Sequence, residues 1–202
     1  MKLYYAPGAC SLVPHMVLEE GGFSYDSEAV DLTTKKTASG TDFNAINTKG
    51  YVPALILDDG QILTEVSAVI QYLADQVPEK NLAPKSGTLE RVRLQEWLSF
   101  ISTELHKNFS PLYNPAASQD MKDAAIATLS NRFDFVVNHL KDNDYLLGSD
   151  YSIADTYLFT VLSWAGFVEL DLSPWPALGE YSNRIGGRPA VLSALRNEGL
   201  IE

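Results

Sequence analysis

The sequence predicts a small α/β domain joined to an all-helical one. Three observations carry that expectation: elements alternate over roughly the first eighty residues, a Pro/Gly-containing break follows at 77–87, and everything beyond it has helical spacing. Lys2–Tyr5 reads as a short strand, and Ala6-Pro7-Gly8 breaks it. Ser11 to about Glu20 has a helical pattern that Gly21-Gly22 stops. Tyr25–Val30 reads as a second strand, which makes a βαβ unit with parallel strands and a right-handed crossover. Asp42–Ile46 is at most a short helix. Ala54–Leu57 and Ile62–Thr64 flank Asp58-Asp59-Gly60, a hairpin turn, and Val66–Asp75 reads as a helix ending before Pro78. The order is βαβ, loop, ββα.

Residues 77–87 read as a linker, giving domains at 1–80 and 87–202. In the second, Leu94, Leu98, Ile101 and Leu105 form an apolar stripe with helical spacing. Ser118 caps a helix reaching about Leu140. Ser152-Ile153-Ala154-Asp155 has capping-box spacing with Asp in place of Glu, and Gly186-Gly187-Arg188-Pro189 separates the last two helices. The apolar stretch Ile153–Val168 is too short and too interrupted by polar residues to span a bilayer, and it reads as a buried helix.

Bulk composition narrows the function. With 202 residues, 46% hydrophobic and 20% charged, the chain reads as soluble and globular. A formal net charge of −11 argues against nucleic acid or an anionic membrane as a partner. Pro7-Gly8 interrupts any secretory apolar run at the N-terminus. A single cysteine cannot form an internal disulfide and suits a reducing compartment. His15, His106 and His139 lack metal-ligand spacing, so no metal is expected.

That cysteine is Cys10, placed between a strand and a helix start. Backbone N–H groups at a positive helix end would lower its pKa and favour thiolate, whereas a buried cysteine would be inert. There is no C-x-x-C, because Val13 stands three residues on. A disulfide made by Cys10 therefore needs a thiol from outside the chain. Gly50-Tyr51-Val52-Pro53-Ala54-Leu55 is the second informative segment. A cis Val52–Pro53 bond would expose the Val52 N–H and C=O to an extended peptide, but an ordinary loop proline is the commoner case. Glu65 opens a helix, where it suits an ammonium group or merely the helix dipole. Ser99, Thr103, His106 and Lys107 are spaced to share one polar helical face, either functional or simply solvated. Phe109, Tyr113 and Trp164 are candidate pocket walls or plain core.

Taken together, Pro7-Gly8-Ala9-Cys10-Ser11, Lys49-Gly50-Tyr51-Val52-Pro53-Ala54-Leu55, Leu63-Thr64-Glu65, Thr103-Glu104-Leu105-His106-Lys107 and Ser152-Ile153-Ala154-Asp155 resemble the glutathione transferases, specifically the bacterial beta class. The resemblance spans essentially the whole chain. It implies a thioredoxin-like N-terminal domain that binds glutathione, a helical C-terminal domain, and a cytoplasmic homodimer. The implied activity is conjugation of glutathione, a co-substrate with no further cofactor, to small hydrophobic electrophiles. Cys10 and His106 are the implied catalytic residues, with Ala9 and Cys10 beside the glutathione sulfur. The implied Pro53 bond is cis, Tyr51 and Val52 line the cysteinyl backbone, Glu65 and the Val66 N–H hold the γ-glutamyl head, and Lys35 neutralises the glycine carboxylate. Ser99, Thr103 and Glu104 would come from the second subunit, with Leu105, His106 and Lys107 completing the site. Two residues depart from the class: Val66 where Ser or Gly is frequent, and Ser99 where Asn is common. Each lost contact would cost about 0.5–1.5 kcal/mol. Two other functions use the same residues: glutathione-dependent thiol–disulfide exchange through a Cys10 mixed disulfide, and non-enzymatic glutathione binding.

Overall fold

The computed structural model describes all of residues 1–202 and divides into two compact units, Met1–Leu82 with Arg188–Glu202, and Ala83–Gly187. In the first, strands β1 (Lys2–Tyr5), β2 (Asp26–Asp31), β3 (Lys36–Thr37), β4 (Ala54–Ile56) and β5 (Ile62–Thr64) form one sheet in the order β3-β2-β1-β4-β5. β1 and β2 are parallel, with Leu3 opposite Ser27, as a βαβ unit requires. β4 runs antiparallel to both β1 and β5, so the Asp58-Asp59-Gly60 hairpin forms where the sequence places it. β3 was not legible. It is two residues long, too short for any periodicity, and exists only as an antiparallel partner of Val30 and Asp31.

Helix α1 (Leu12–Gly21) is buried almost all round, at Leu12 to Leu18 and Gly21, because α3 (Val66–Gln76) and α9 (Pro189–Asn197) both pack against it. Pro14 is tolerated in its first turn, where the missing N–H has no intrahelical acceptor. The helix stops at Gly22, which adopts φ +68°. Its N–H donates to the Glu19 carbonyl and the Phe23 N–H donates to Leu18, a Schellman closure. The opposite face of the sheet is closed by the one-turn helix α2 (Phe43–Ile46), with Tyr4, Val30, Phe43, Val52 and Ala54 as its core.

Arg188 to Glu202 belong to this first unit, which corrects the expected 87–202 boundary. The Gly186–Pro189 break reads as an ordinary interhelical turn. It is the packing of α9 on α1 and a two-pronged ion pair from Arg188 to Glu20, at 2.6 and 3.0 Å, that return the chain to its beginning.

An ion pair also ties the sheet's first two strands. Lys2 Nζ lies 2.6 Å from Glu28 Oε2, and the Ser39 N–H donates to Oε1 at 3.0 Å. These contacts, Lys2 first, hold the Glu28 carboxyl down at about 2, against 4.5 ordinarily. Its stabilisation is therefore complete above about pH 4.5 and is lost as pH falls towards 2. Lys2 is partly exposed, so water screens the pair and its worth is about 0.5–1 kcal/mol. Glu28→Gln should lower the thermal midpoint at pH 6, with a difference that shrinks steadily below about pH 4.5 and closes only as pH passes below about 2. Parallel curves down to pH 2.5 would refute the assignment.

The second unit is all helix: α4 (Leu89–Phe100), a π-helical turn at Ile101–His106, α5 (Lys107–Tyr113), α6 (Gln119–Leu140), α7 (Ile153–Phe167) and α8 (Pro176–Gly186). Ser118 and Ser152 cap α6 and α7 as expected. α7 is buried on nearly every face and forms the centre of the unit. The Asp155 carboxylate accepts the Ser152 N–H (2.8 Å) and hydroxyl (2.9 Å), the Leu146 N–H (2.8 Å) and the Tyr181 hydroxyl (2.8 Å). The capping box therefore also ties the 146 loop and α8 to α7. No helix in the chain is long and apolar enough to cross a membrane.

Candidate active site

In the first unit the β1–α1 loop is stitched before it is used. The buried Ser11 hydroxyl accepts the Ala6 N–H at 3.0 Å and donates to the Ala6 carbonyl at 3.3 Å, while the Ala9 N–H closes a turn on Ala6. The Gly8 N–H donates to Glu198 Oε2 at 2.9 Å, a contact spanning 190 residues of sequence. Cys10 follows, half-buried, and its Sγ donates to the Val52 carbonyl at 3.2 Å. The Val52–Pro53 bond is cis, as the resemblance implies and the residues alone do not.

The sequence offered Cys10 the donors of a helix start. The structure uses two of them internally: the Leu12 N–H bonds to Ala9 and the Val13 N–H to Cys10's own carbonyl. The contact to Val52 is one that a protonated thiol makes. In this structure Cys10 is therefore a thiol donor to the cis-proline segment.

Around that segment, the buried Asn47 side chain donates to the Tyr51 carbonyl at 2.7 Å and Lys35 Nζ donates to the Gly50 carbonyl at 2.7 Å. Gly50 has φ +68°, a left-handed conformation that favours glycine, and a Cβ there would meet the Asn44 side-chain oxygen at 2.9 Å unless that exposed side chain moved aside. Glu65 caps α3 with φ +69°, a conformation costing a non-glycine residue about 1 kcal/mol and concentrated at functional sites. Its Oε1 receives Lys49 Nζ at 2.5 Å and the Tyr51 hydroxyl at 2.9 Å. Val66, whose N–H leads α3, has a buried side chain, and Ala9 packs on the sheet's core. Cys10, Val52 and Pro53 thus sit together, with Lys35, Tyr51 and Glu65 attached to the same segment through Gly50 or each other.

In the second unit the expected common face of Ser99, Thr103, His106 and Lys107 does not form. Ser99, Thr103 and Lys107 are exposed, whereas His106 turns inward. The cause is the π turn, whose i→i+5 bonds widen the helix and shift its faces. His106 Nδ1 lies 2.7 Å from the Tyr157 hydroxyl, and its ring meets Trp164 edge-on, centroids 4.7 Å apart. Phe109 and Tyr113 also pack on Trp164, at 5.7 and 6.3 Å. Phe109 and Trp164 are buried while Tyr113 is about half exposed, so the three form one aromatic cluster. Thr103 bonds back to the Ser99 carbonyl, and the Glu104 carboxylate is engaged by Arg132 at 2.7 and 2.8 Å. Leu105 is fully buried, so its side chain is core rather than ligand surface.

Sequence reasoning passed over Asn47, Lys49, Tyr157 and Glu198. Lys49 lies within a segment singled out for the resemblance. The others act through contacts at long range or onto backbone, which no local pattern announces.

A helix-covered sheet unit with a thiol at the first helix start, a cis-proline opposite it and an acid at the start of α3, beside a separate helical unit, defines a protein with a thioredoxin-like domain and a helical domain. Residues 8–76 match the family model "Glutathione S-transferase, N-terminal domain" and 100–189 the model "Glutathione S-transferase, C-terminal domain". The chain belongs to the glutathione S-transferase family. It is 44% identical to glutathione S-transferase GstA of Escherichia coli O157:H7, over 99% of this chain and all of that one. Among solved structures, it superposes with TM-score 0.97 on a ternary complex of BphK, a bacterial GST, at 56% identity over 98% of this chain and 100% of that one. A bacterial beta-class glutathione S-transferase of Sphingomonas chungbukensis gives TM-score 0.96 at 47% identity, with both chains fully covered.

Proposed function

We propose that the chain is a beta-class glutathione transferase, cytoplasmic and homodimeric. It conjugates the glutathione thiolate to small hydrophobic electrophiles, with glutathione as co-substrate and no further cofactor. The observation that carries this reading is Cys10 Sγ held 3.2 Å from the Val52 carbonyl at a cis-proline, within a chain of this family. Glutathione lies extended along Val52. Its γ-glutamyl ammonium goes to Glu65, its glutamyl carboxylate to the N–H groups at the start of α3, and its glycine carboxylate to Lys35. Cys10 and His106 favour the thiolate form of the bound thiol. Ser99, Thr103 and Glu104 act from the second copy, with His106 and Lys107 near the sulfur. The names of the relatives support conjugation rather than disulfide exchange or binding without turnover.

Lys49 on Glu65 supplies an internal probe of this reading, because its ammonium holds the oxygen assigned to the ligand's ammonium. An exposed pair of this kind is screened by water, so removing it should tighten glutathione binding by at most a few-fold. The experiment is titration with glutathione of wild type, Lys49→Met and Glu65→Gln, together with conjugation of a chloronitrobenzene. Tightening in the first variant, weakening in the second and turnover in the wild type are expected. Neither binding nor turnover by the wild type would refute the function. Cys10→Ala should slow conjugation without abolishing it, and complete loss of conjugation with retained binding would assign Cys10 an obligatory covalent role.

A further inference from the structure

The hydroxyl of Tyr157 is the buried group in the helical unit whose position bears most directly on chemistry. Tyr157 is 1% exposed, and its O–H meets the imidazole of His106 at 2.7 Å. Trp164 follows seven residues later, two turns along the same face of α7, with its ring 4.7 Å from the imidazole and tilted by 74°. His106 is thus fixed twice by one rigid helix. The indole limits rotation of the ring, and the hydroxyl engages a particular nitrogen, Nδ1. The π turn that carries His106 is what brings it to α7.

We propose that Tyr157 is a positioning residue for the transferase reaction, holding His106 as the tautomer with its proton on Nε2. This rests on the reading of His106 given under the proposed function. The phenol O–H donates to the Nδ1 lone pair, so Nδ1 is an acceptor and the neutral ring carries its hydrogen on Nε2. An Nε2–H donor stabilises the sulfur of glutathione as thiolate, and the thiol's proton leaves to water. The opposite tautomer would present a lone pair to the thiolate and repel it. This is the logic by which a second group behind a histidine selects which nitrogen acts.

Tyr157→Phe keeps the ring and its packing and removes one hydrogen bond. The expected loss is about tenfold in kcat, with the glutathione KM within about twofold of wild type and a shifted pH profile of kcat. In a His106→Asn background the same change should have no further effect. Nitrogen-15 NMR of the wild-type protein should show His106 protonated on Nε2, and the Phe variant should show a mixture of tautomers. Wild-type kcat and pH profile in Tyr157→Phe, with His106→Asn impaired, would overturn the positioning role alone. Full activity of His106→Asn would overturn the underlying reading of His106 as well. Should the Phe variant fail to fold, a wild-type signal showing protonation on Nδ1 would overturn the proposal, and protonation on Nε2 would support it.

Discussion

Replacing Asp155 with alanine is expected to remove about 3 kcal/mol or more from the stability of the helical unit, enough to leave much of the protein unfolded at 37 °C. The size follows from what the carboxylate holds. Four donors converge on it, and the residue is fully buried. Alanine leaves the Ser152 and Leu146 N–H groups and the Tyr181 hydroxyl without their acceptor where water cannot replace it, at about 1–3 kcal/mol each. Burial pushes the Tyr181 phenol well up, so it stays protonated and remains a donor that needs an acceptor. Asp155→Asn keeps an acceptor oxygen and should lose less, about 1–2 kcal/mol. Urea denaturation followed by circular dichroism checks both. Equal midpoints for wild type and Asp155→Ala would show that the network contributes nothing.

The second large effect belongs to Glu198. Its carboxylate accepts Gly8 N–H and lies 2.8 Å from His15 Nδ1, and both side chains are fully enclosed. His15 stands between the rings of Tyr5 and Tyr25, and its Nε2 has no hydrogen-bond partner. Glu198→Ala would leave a buried imidazole with neither nitrogen bonded, and would free the loop that presents Cys10. A cost of about 3 kcal/mol is expected, in the range for breaking a buried pair. Glutathione conjugation should also fall at temperatures where the variant is still folded, because Gly8 lies two residues from Cys10. Glu198→Gln retains an oxygen for the Gly8 N–H and should keep more of both properties. Thermal melts paired with conjugation rates below the transition test this, and a stable, fully active alanine variant would contradict it.

What could be read in advance was what short stretches of chain decide for themselves. Gly22 ends α1 because a left-handed residue is needed there, Asp58-Asp59-Gly60 closes a hairpin, and Ser152 with Asp155 starts α7. The five stretches around Cys10, Pro53, Glu65, His106 and Asp155 indicated the family, and the cis bond followed from that resemblance rather than from residue preference. Hidden from view were arrangements made by partners far apart. His106 reads as part of an open polar face, but the π turn directs it towards α7, whereas Leu105 lies buried on the apolar stripe its spacing predicts. Glu198 carries no signal of its role, since its partners Gly8 and His15 stand at the other end of the chain.

The docking of α9 on α1 bears on how the protein is made. Ribosomes deliver the sheet and α1 early, yet the helix that covers α1 and the carboxylate that fastens the Gly8 loop lie in residues 188–202, beyond the whole helical unit. The unit begun first therefore closes only after the helical unit has been made: until then the nascent chain carries an uncovered apolar flank on α1, and the Cys10 loop lacks its Glu198 contact.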